Sequence, residues 1–192
     1  MPEGAAALVL LGFVGGLGWQ AFAQEPEARD GAPHPLDRWS RRVIDALAAR
    51  LGAFARYPFG GPPHWPFQRW AVRAGDAHPS PLGLLVHPEF GLWHSYRGAL
   101  AFVRDIGAPA PERRASPCES CVAKPCLTAC PVGAFSATGY DVGACRDWLR
   151  GPEGGDCMAN GCAARRACPV GAQHRHGAAQ AGFLMKAFRE AG

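Results

Sequence analysis

The run Cys118-x2-Cys121-x4-Cys126-x3-Cys130-Pro131 is followed along the chain by Cys145 and by a second run, Cys157-x4-Cys162-x5-Cys168-Pro169. These eight are all the cysteines of the 192-residue chain, and none lies before residue 118. Both runs end in Cys-Pro, and the hexapeptide Ala-Cys-Pro-Val-Gly-Ala occurs at 129–134 and again at 167–172. Such an internal echo is typical of a duplicated module.

Two sets of four thiolates predict two [4Fe–4S] clusters, because each cluster is held by four cysteines and its chemistry is mostly one-electron transfer. In two-cluster proteins of this kind, the cysteine that precedes proline in each run ligates the cluster of the other run. The predicted ligands of cluster 1 are Cys118, Cys121, Cys126 and Cys168. The predicted ligands of cluster 2 are Cys130, Cys145, Cys157 and Cys162.

The cysteine spacings are longer than those of compact ferredoxins, which indicates insertions in the cluster-binding loops. These insertions make the assignment of Cys145 and Cys157 as individual cluster ligands less certain than that of the other cysteines. Zinc is one alternative, but its sites use two C-x2–4-C pairs, and only Cys118/Cys121 and, loosely, Cys157/Cys162 offer them. Disulfides are another, but they are typical of oxidising compartments. The two Cys-Pro ends favour iron–sulfur clusters, which suit a reducing, cytoplasmic location.

The charge of the chain argues against nucleic acid as a partner. The formal net charge is +4, and its arginine pairs, such as Arg41-Arg42 and Arg165-Arg166, are isolated rather than gathered into a basic stripe. Two oxidised clusters of about −2 each would bring the holoprotein close to neutrality. We therefore expect a redox protein partner that is not captured mainly by long-range charge.

The N-terminal segment Ala5–Ala23 is apolar, and Ala21-Phe22-Ala23 resembles the cleavage site of a secretory signal. However, Met1–Gly4 carries no basic side chain, and four glycines interrupt the segment. We predict instead a buried strand at Ala7–Phe13 and a glycine-rich turn. No stretch reaches the about 20 uninterrupted apolar residues of a membrane span.

We predict an α+β fold in two domains, with a boundary in the proline-rich linker Gly107–Pro117. Residues 1–107 form a small α/β layer without cysteine, and residues 108–192 form a dicluster ferredoxin-like domain with little regular structure and a C-terminal helix.

The first domain shows a mixture of helical and strand patterns. A helix begins at Pro35 and ends at Gly52, with an apolar face that the pattern assigns to Leu36, Val43, Leu47 and Leu51, with Ile44 beside them. The other predicted elements are a strand at Ala53–Tyr57, a helix near Phe67–Ala74, and two strands, Leu82–Val86 and Trp93–Val103, joined by a turn at His87–Gly91. In the second domain, helices are predicted at Asp141–Leu149 and at Gly177–Arg189.

Three other features invite a functional interpretation. The glycines of Gly12–Gly18 do not match a nucleotide-binding motif, so a tight turn is favoured. His174 and His176 suit either cluster tuning and proton transfer or plain loop positions. An aromatic group suits either a ligand pocket or core packing, with packing favoured; its members are Trp65, Phe67, Trp70, Trp93 and Tyr96.

Residues 118–172 resemble a bacterial two-cluster [4Fe–4S] ferredoxin module. The order of the motifs is similar to that in the C-terminal module of epoxyqueuosine reductases. The first run is followed by Cys145, at the end of Tyr140-Asp141-Val142-Gly143-Ala144-Cys145, and then by Gly161-Cys162 through Cys168-Pro169. That resemblance implies that two clusters pass electrons to a cobalamin cofactor.

A second resemblance lies in the first domain. Ser80-Pro81-Leu82-Gly83 and the segment from His87-Pro88-Glu89-Phe90-Gly91 to Gly98 are similar to a part shared by epoxyqueuosine reductases and cobalamin-processing proteins. There the segment belongs to a corrinoid-binding layer. No catalytic residue is carried over.

Three functions remain open. The first is a protein that relays single electrons through two [4Fe–4S] clusters to a redox partner. The second is a reductase whose clusters feed a corrinoid or flavin held by the N-terminal half. The third is a protein in which the clusters have no redox role and only stabilise the fold.

Overall fold

The computed structural model describes residues 4–75, 77–107, 109–110, 113–136 and 139–191. The α-helices are α1 (Leu17–Ala23), α2 (Pro35–Leu51), α3 (Phe67–Ala74), α4 (Pro117–Ser120), α5 (Pro125–Thr128), α6 (Val142–Arg150), α7 (Gly155–Asn160), α8 (Ala163–Arg166) and α9 (Ala178–Glu190). The strands are β1 (Ala7–Val14), β2 (Phe54–Arg56), β3 (His78–Pro79), β4 (Leu85–Val86), β5 (His94–Phe102), β6 (Phe135–Ser136) and β7 (Gly139–Tyr140). The predicted α+β class is confirmed.

The chain forms two compact units that differ from the predicted domains. One contains residues 1–76 and 94–113, and the other contains residues 77–93 and 114–192. The segment 77–93 therefore belongs with the cysteines and not with the first 107 residues. The physical reason is a shared core in which Leu82, Val86 and Leu92 pack with Cys168. The predicted linker lies partly outside the described residues, and its last residue, Pro117, begins α4.

The first unit is built on an antiparallel sheet with the strand order β1-β5-β2. The strand predicted at Ala7–Phe13 is confirmed as β1, and α1 follows the glycine-rich turn. The register of β1 shifts between Leu11 and Gly12. A Cβ on Gly12 would lie 1.9 Å from the carbonyl oxygen of Ser95. The close approach of the two backbones therefore requires glycine at this irregularity.

The hairpin predicted between Leu82–Val86 and Trp93–Val103 is wrong, although its turn exists. The amides of His87 and Gly91 each donate to the carbonyl of the other at 2.9 Å. However, β4 pairs with β3, and β5 pairs with β1 and β2. Because both edges of β5 are taken by strands distant in sequence, no edge is left for β4.

The bounds of α2 follow the prediction, but its buried face does not. Pro35 occupies the first turn, and Gly52 ends the helix with a φ of 63°. Val43 and Leu51 are 43% and 45% exposed. The buried row at i, i+4 spacing is instead Leu36, Ser40, Ile44 and Ala48. Ser40 tolerates burial because its hydroxyl donates to the Leu36 carbonyl at 2.6 Å.

The core of the first unit lies between α2, α3 and the sheet. One cluster contains Ile44, Tyr57 and Leu100, and a second contains Phe67, Trp70 and Ala99. Trp65 and Tyr96 pack against the second cluster. The core-packing interpretation is thus confirmed for these four aromatic side chains, whereas Trp93 belongs to the second unit, where it is buried beside Arg165 and His176.

The second unit consists mostly of short helices. The two predicted helices are confirmed as α6 and α9. The Asp141 carboxylate caps α6 by accepting from the Ala144 amide at 2.9 Å. Both α4 and α5 begin at a proline, which favours the first turn of a helix. Among the residues that the structure describes, no helix is long and apolar enough to cross a membrane.

The two copies of the hexapeptide differ in their surroundings. Gly133 and Gly171 both adopt positive φ, 58° and 66°. A Cβ on Gly133 would meet nothing within 4 Å, whereas a Cβ on Gly171 would lie 2.4 Å from the carbonyl carbon of Phe90. In return, a Cβ on Gly91 would lie 1.9 Å from the Val170 carbonyl oxygen. The turn at 87–91 therefore rests directly on the backbone that follows Cys168-Pro169.

These two glycines form a matched pair for substitution. Gly133→Ala should lower the free energy of unfolding by about 1–2 kcal/mol, the usual cost of a left-handed alanine. Gly171→Ala should lower it further, because the turn at 87–91 must also move. Denaturant unfolding of both variants under anaerobic conditions measures the difference. Equal losses would show that the backbone contact at Gly171 contributes nothing.

Candidate metal centre

The first cysteine run is held by two one-turn helices. Cys118 lies at the start of α4, where the Ser116 hydroxyl oxygen accepts from the Cys118 amide at 3.4 Å. Cys121 follows α4, Cys126 lies within α5, and Cys130 lies just beyond it. The helices leave these four thiols partly buried rather than fully covered.

The remaining cysteines lie on three further helices of the second unit. Cys145 is in the middle of α6 and Cys157 is in α7. Cys162 precedes the first residue of α8, and Cys168 lies two residues after that helix. Cys157 and Cys168 are buried, and none of the eight thiols is in a disulfide.

Electrostatic interactions link four thiols of both runs, which we call the first thiol set: Cys118, Cys121, Cys126 and Cys168. Burial raises the pKa of Cys118, and repulsion from the charges that Cys168, Cys126 and Cys121 carry when ionised raises it further. Burial and the charges of Cys168 and Cys121 likewise raise the pKa of Cys126. Cys168 thus interacts with Cys118 and Cys126 of the first run, and it shares a core with both of them and with Cys162 of its own run.

The other four thiols form the second thiol set: Cys130, Cys145, Cys157 and Cys162. Burial raises the pKa of Cys145, and the charges of Cys130 and Cys157 add to this effect. Burial also raises the pKa of Cys162, with the charges of Cys157 and Cys145 acting in the same direction. The crossed assignment of Cys130 and Cys168 to the clusters of the opposite runs stays a prediction.

A single metal ion and an iron–sulfur cluster need different spacings of their thiol ligands. Among the described residues, no three His, Cys, Asp or Glu side chains converge tightly enough to hold one metal ion. A tetrahedral zinc site, with Zn–S bonds of about 2.3 Å, needs sulfurs within about 4 Å of one another. A [4Fe–4S] cube binds each thiolate at a different iron, so its ligands lie farther apart.

Backbone amides supply donors to several of the sulfurs. The Ala134 amide donates to the Cys130 sulfur at 3.4 Å. The amides of Arg165 and Ala164 donate to the Cys162 sulfur and oppose the effect of burial on its pKa. Such donors stabilise a thiolate once it loses its proton to metal binding.

Tyr140 is a site residue that the sequence patterns did not single out for a role. Its hydroxyl is hydrogen-bonded to Cys145, and the pKa of Tyr140 is raised by burial and by that bond. Its ring stacks on Phe135, with centroids 4.6 Å apart, and on Phe188 at 6.2 Å. A tyrosine five residues before a cysteine matches no sequence motif. Only the pairing of β6 with β7, which places Tyr140 beside Phe135, reveals that this residue belongs to the site.

Arg165 is a second residue that the sequence did not indicate. Its Nε donates to the Leu92 carbonyl at 3.0 Å, and its Nη2 also donates there. The guanidinium carbon lies 4.7 Å from the centre of the Trp93 ring. Burial lowers the pKa of Arg165 to about 10, which still leaves it charged at neutral pH.

The two histidines beyond Cys168 are packed against aromatic rings. His174 lies edge-on to Phe90, with centroids 5.3 Å apart, and His176 lies edge-on to Trp93 at 5.2 Å. Burial, together with the charge of Arg165, lowers the pKa of His176 to about 4. His176 is therefore neutral near pH 7, which disfavours the proton-transfer alternative for this residue.

A surface groove of about 420 Å³ reaches the first thiol set. Its lining residues are His78, Pro79, Pro81, Ser116, Cys118, Glu119 and Lys124. The groove thus exposes one predicted cluster ligand to molecules outside the unit.

The cavity described in the first unit does not fit a corrinoid or a flavin. It has a volume of about 220 Å³ and lies between β1 and α2, with Trp39, Ser40 and Arg97 among its lining residues. Small-molecule sites usually measure about 300–1,000 Å³, and a corrinoid is larger than most of their ligands.

Comparison with protein-family models, with curated proteins and with solved structures yields no significant match to this chain. The resemblance to two-cluster ferredoxin modules therefore remains a prediction from the residues.

The crossing of the two sets can be tested with two cysteines of the same run. Cys130→Ser should disturb the cluster of the second thiol set, whereas Cys126→Ser should disturb that of the first. Electron paramagnetic resonance of the reduced variants, with their iron content, distinguishes the two clusters. If both substitutions disturb the same signal, the crossed assignment is wrong.

Proposed function

We propose that this protein relays single electrons through two [4Fe–4S] clusters, held by the first and second thiol sets, to a redox protein partner. The observation that carries the proposal is the set of eight cysteines outside any disulfide, with thiols of both runs packed on one core that contains Cys168. Four cysteine thiolates are the ligand set of a [4Fe–4S] cluster. When bound, the clusters supply one-electron chemistry.

The surrounding residues serve this function by excluding water. Leu82, Val86, Leu92 and Ala164 are buried in one core with Cys168, and Cys118, Cys126 and Cys162 pack against it. A dry apolar shell protects thiolate ligands and controls the potential of a metal site. The segment 77–93 therefore acts as a cover for the sulfurs.

Access for a partner is provided at the first thiol set. The groove beside Cys118 brings the protein surface to one of its ligands. Lys124 and Glu119 carry opposite charges at this groove, which agrees with the weak net charge expected for the holoprotein. We infer that shape and short-range contacts govern partner recognition. Eight unpaired thiols also favour a reducing compartment, such as the cytoplasm.

The alternative is a reductase whose clusters feed a corrinoid or flavin. The resemblance of Ser80–Gly83 and His87–Gly98 to cobalamin-processing proteins favours it. However, most of that stretch, through Trp93, belongs to the cysteine-bearing unit. Together with the small cavity of the first unit, this makes the electron relay the better-supported function.

Anaerobic purification tests the proposal directly. The protein should show a broad absorption band at roughly 400 nm that dithionite bleaches, with about eight iron and eight sulfide per chain. A colourless protein that contains zinc would contradict it. A co-purified corrinoid or flavin would instead support the reductase.

A further inference from the structure

His87 is a buried polar residue to which the proposed function gives no role. It begins the turn at 87–91, in the stretch whose sequence is similar to cobalamin-processing proteins, and it is 8% exposed. The turn lies in the same unit as all eight cysteines. Because buried polar groups are almost always hydrogen-bonded, the partners of the imidazole indicate what this residue does.

The imidazole of His87 holds the turn from within. Its Nδ1 accepts hydrogen bonds from the amides of Glu89 and Phe90, both at 3.1 Å. A ring nitrogen that accepts carries no proton, so the imidazole is the neutral tautomer with its proton on Nε2. The backbone adds two bonds at 2.9 Å, in which His87 and Gly91 exchange amide and carbonyl. The conformation of the turn therefore depends on one side-chain acceptor.

The turn contacts the chain beyond Cys168 through an aromatic ring and through its backbone. The His87 ring stacks on Phe90, with centroids 4.3 Å apart, and Phe90 lies edge-on to His174 at 5.3 Å. The backbones of the turn and of residues 170–171 lie so close that neither glycine there has room for a Cβ. The position of the turn thus limits the positions that residues 170–174 can take.

The residues on either side of the turn pack with Cys168 itself. Val86 comes directly before His87, and Leu92 comes directly after Gly91. Both are buried in the same core as Cys168. A change in the conformation of the turn displaces both side chains, because each residue is joined to the turn by a single peptide bond.

We propose that His87 is a positioning residue for Cys168: its Nδ1 fixes the turn, and the turn keeps Cys168 buried in the place where it serves as a metal ligand. This inference deepens the proposed function and depends on it only for the metal group that Cys168 binds. In this chain, the stretch that resembles cobalamin-processing proteins thus acts on a cysteine of the metal centre.

Two substitutions separate the acceptor of His87 from the bulk of its ring. His87→Phe keeps an aromatic ring that can stack on Phe90, but it has no acceptor for the two amides. His87→Asn has no aromatic ring, but its carbonyl oxygen can accept from the amide two residues later, as asparagine does in turns. If the acceptor is what matters, asparagine replaces histidine better than phenylalanine does.

The test is the alkylation of single thiols by iodoacetamide in the anaerobically purified full-length protein, followed by mass spectrometry. Bathophenanthroline disulfonate is present to take up any iron that is released. Cys157 is the matched thiol, because it and Cys168 are each 8% exposed. His87→Phe removes two hydrogen bonds, so it should raise the rate at Cys168 about 10- to 30-fold through local opening. It should leave the rate at Cys157 unchanged, and His87→Asn should return Cys168 close to its original rate.

His64→Phe is the matched control variant, because His64 is an exposed histidine of the first unit. It should leave both thiols at their original rates. The inference is overturned if His87→Phe does not change the rate at Cys168, or if both thiols react faster to the same extent. It is also overturned if His87→Asn protects Cys168 no better than His87→Phe. The expected rates in a protein that holds no iron would support the role of His87 and overturn the proposed function, so the two failures are distinguishable.

Discussion

Thiols that lie close together in a partly buried place cannot all ionise unless positive charge lies among them. Burial and mutual repulsion both hold the thiol pKa values of Cys118, Cys126, Cys145 and Cys162 above their ordinary range. A metal cluster removes this conflict, because its irons replace the protons and compensate the thiolate charges. In the second unit, the cysteines lie on or beside short helices. Backbone amides donate to the sulfurs of Cys130 and Cys162.

The packing of segment 77–93 over the cysteine sulfurs depends on a second constraint. This is the contact between the backbone of the turn at 87–91 and the backbone beyond Cys168. Gly91 and Gly171 leave no room for a Cβ between the turn at 87–91 and the chain beyond Cys168. That contact positions Leu92 and Trp93. The Leu92 carbonyl accepts a hydrogen bond from Arg165, and the guanidinium of Arg165 lies over the Trp93 ring. A chain of local contacts thus connects a turn far from the cysteines in sequence to the charge that acts on Cys162.

Local patterns predicted helices better than strand partners. Capping and spacing identified α2, α3, α6 and α9, because proline, glycine and aspartate act on their immediate neighbours. The pairing of β5 was not predictable in this way, since β1 lies more than 80 residues earlier and competes for the same edge as β4. The buried face of α2 was also misread, because a serine that bonds back to its own helix is as acceptable in the core as leucine.

The sequence by itself determined the number of thiols and the two Cys-Pro ends, and it predicts their four-plus-four division, because residue type and spacing limit which ligands a metal centre can take. The tertiary structure decided which thiols meet, which segment covers them and which side chains act on each set. Tyr140, Arg165 and the segment 77–93 carry no motif for these roles. Their effects arise from distances between residues remote along the chain, and only folding brings such residues together.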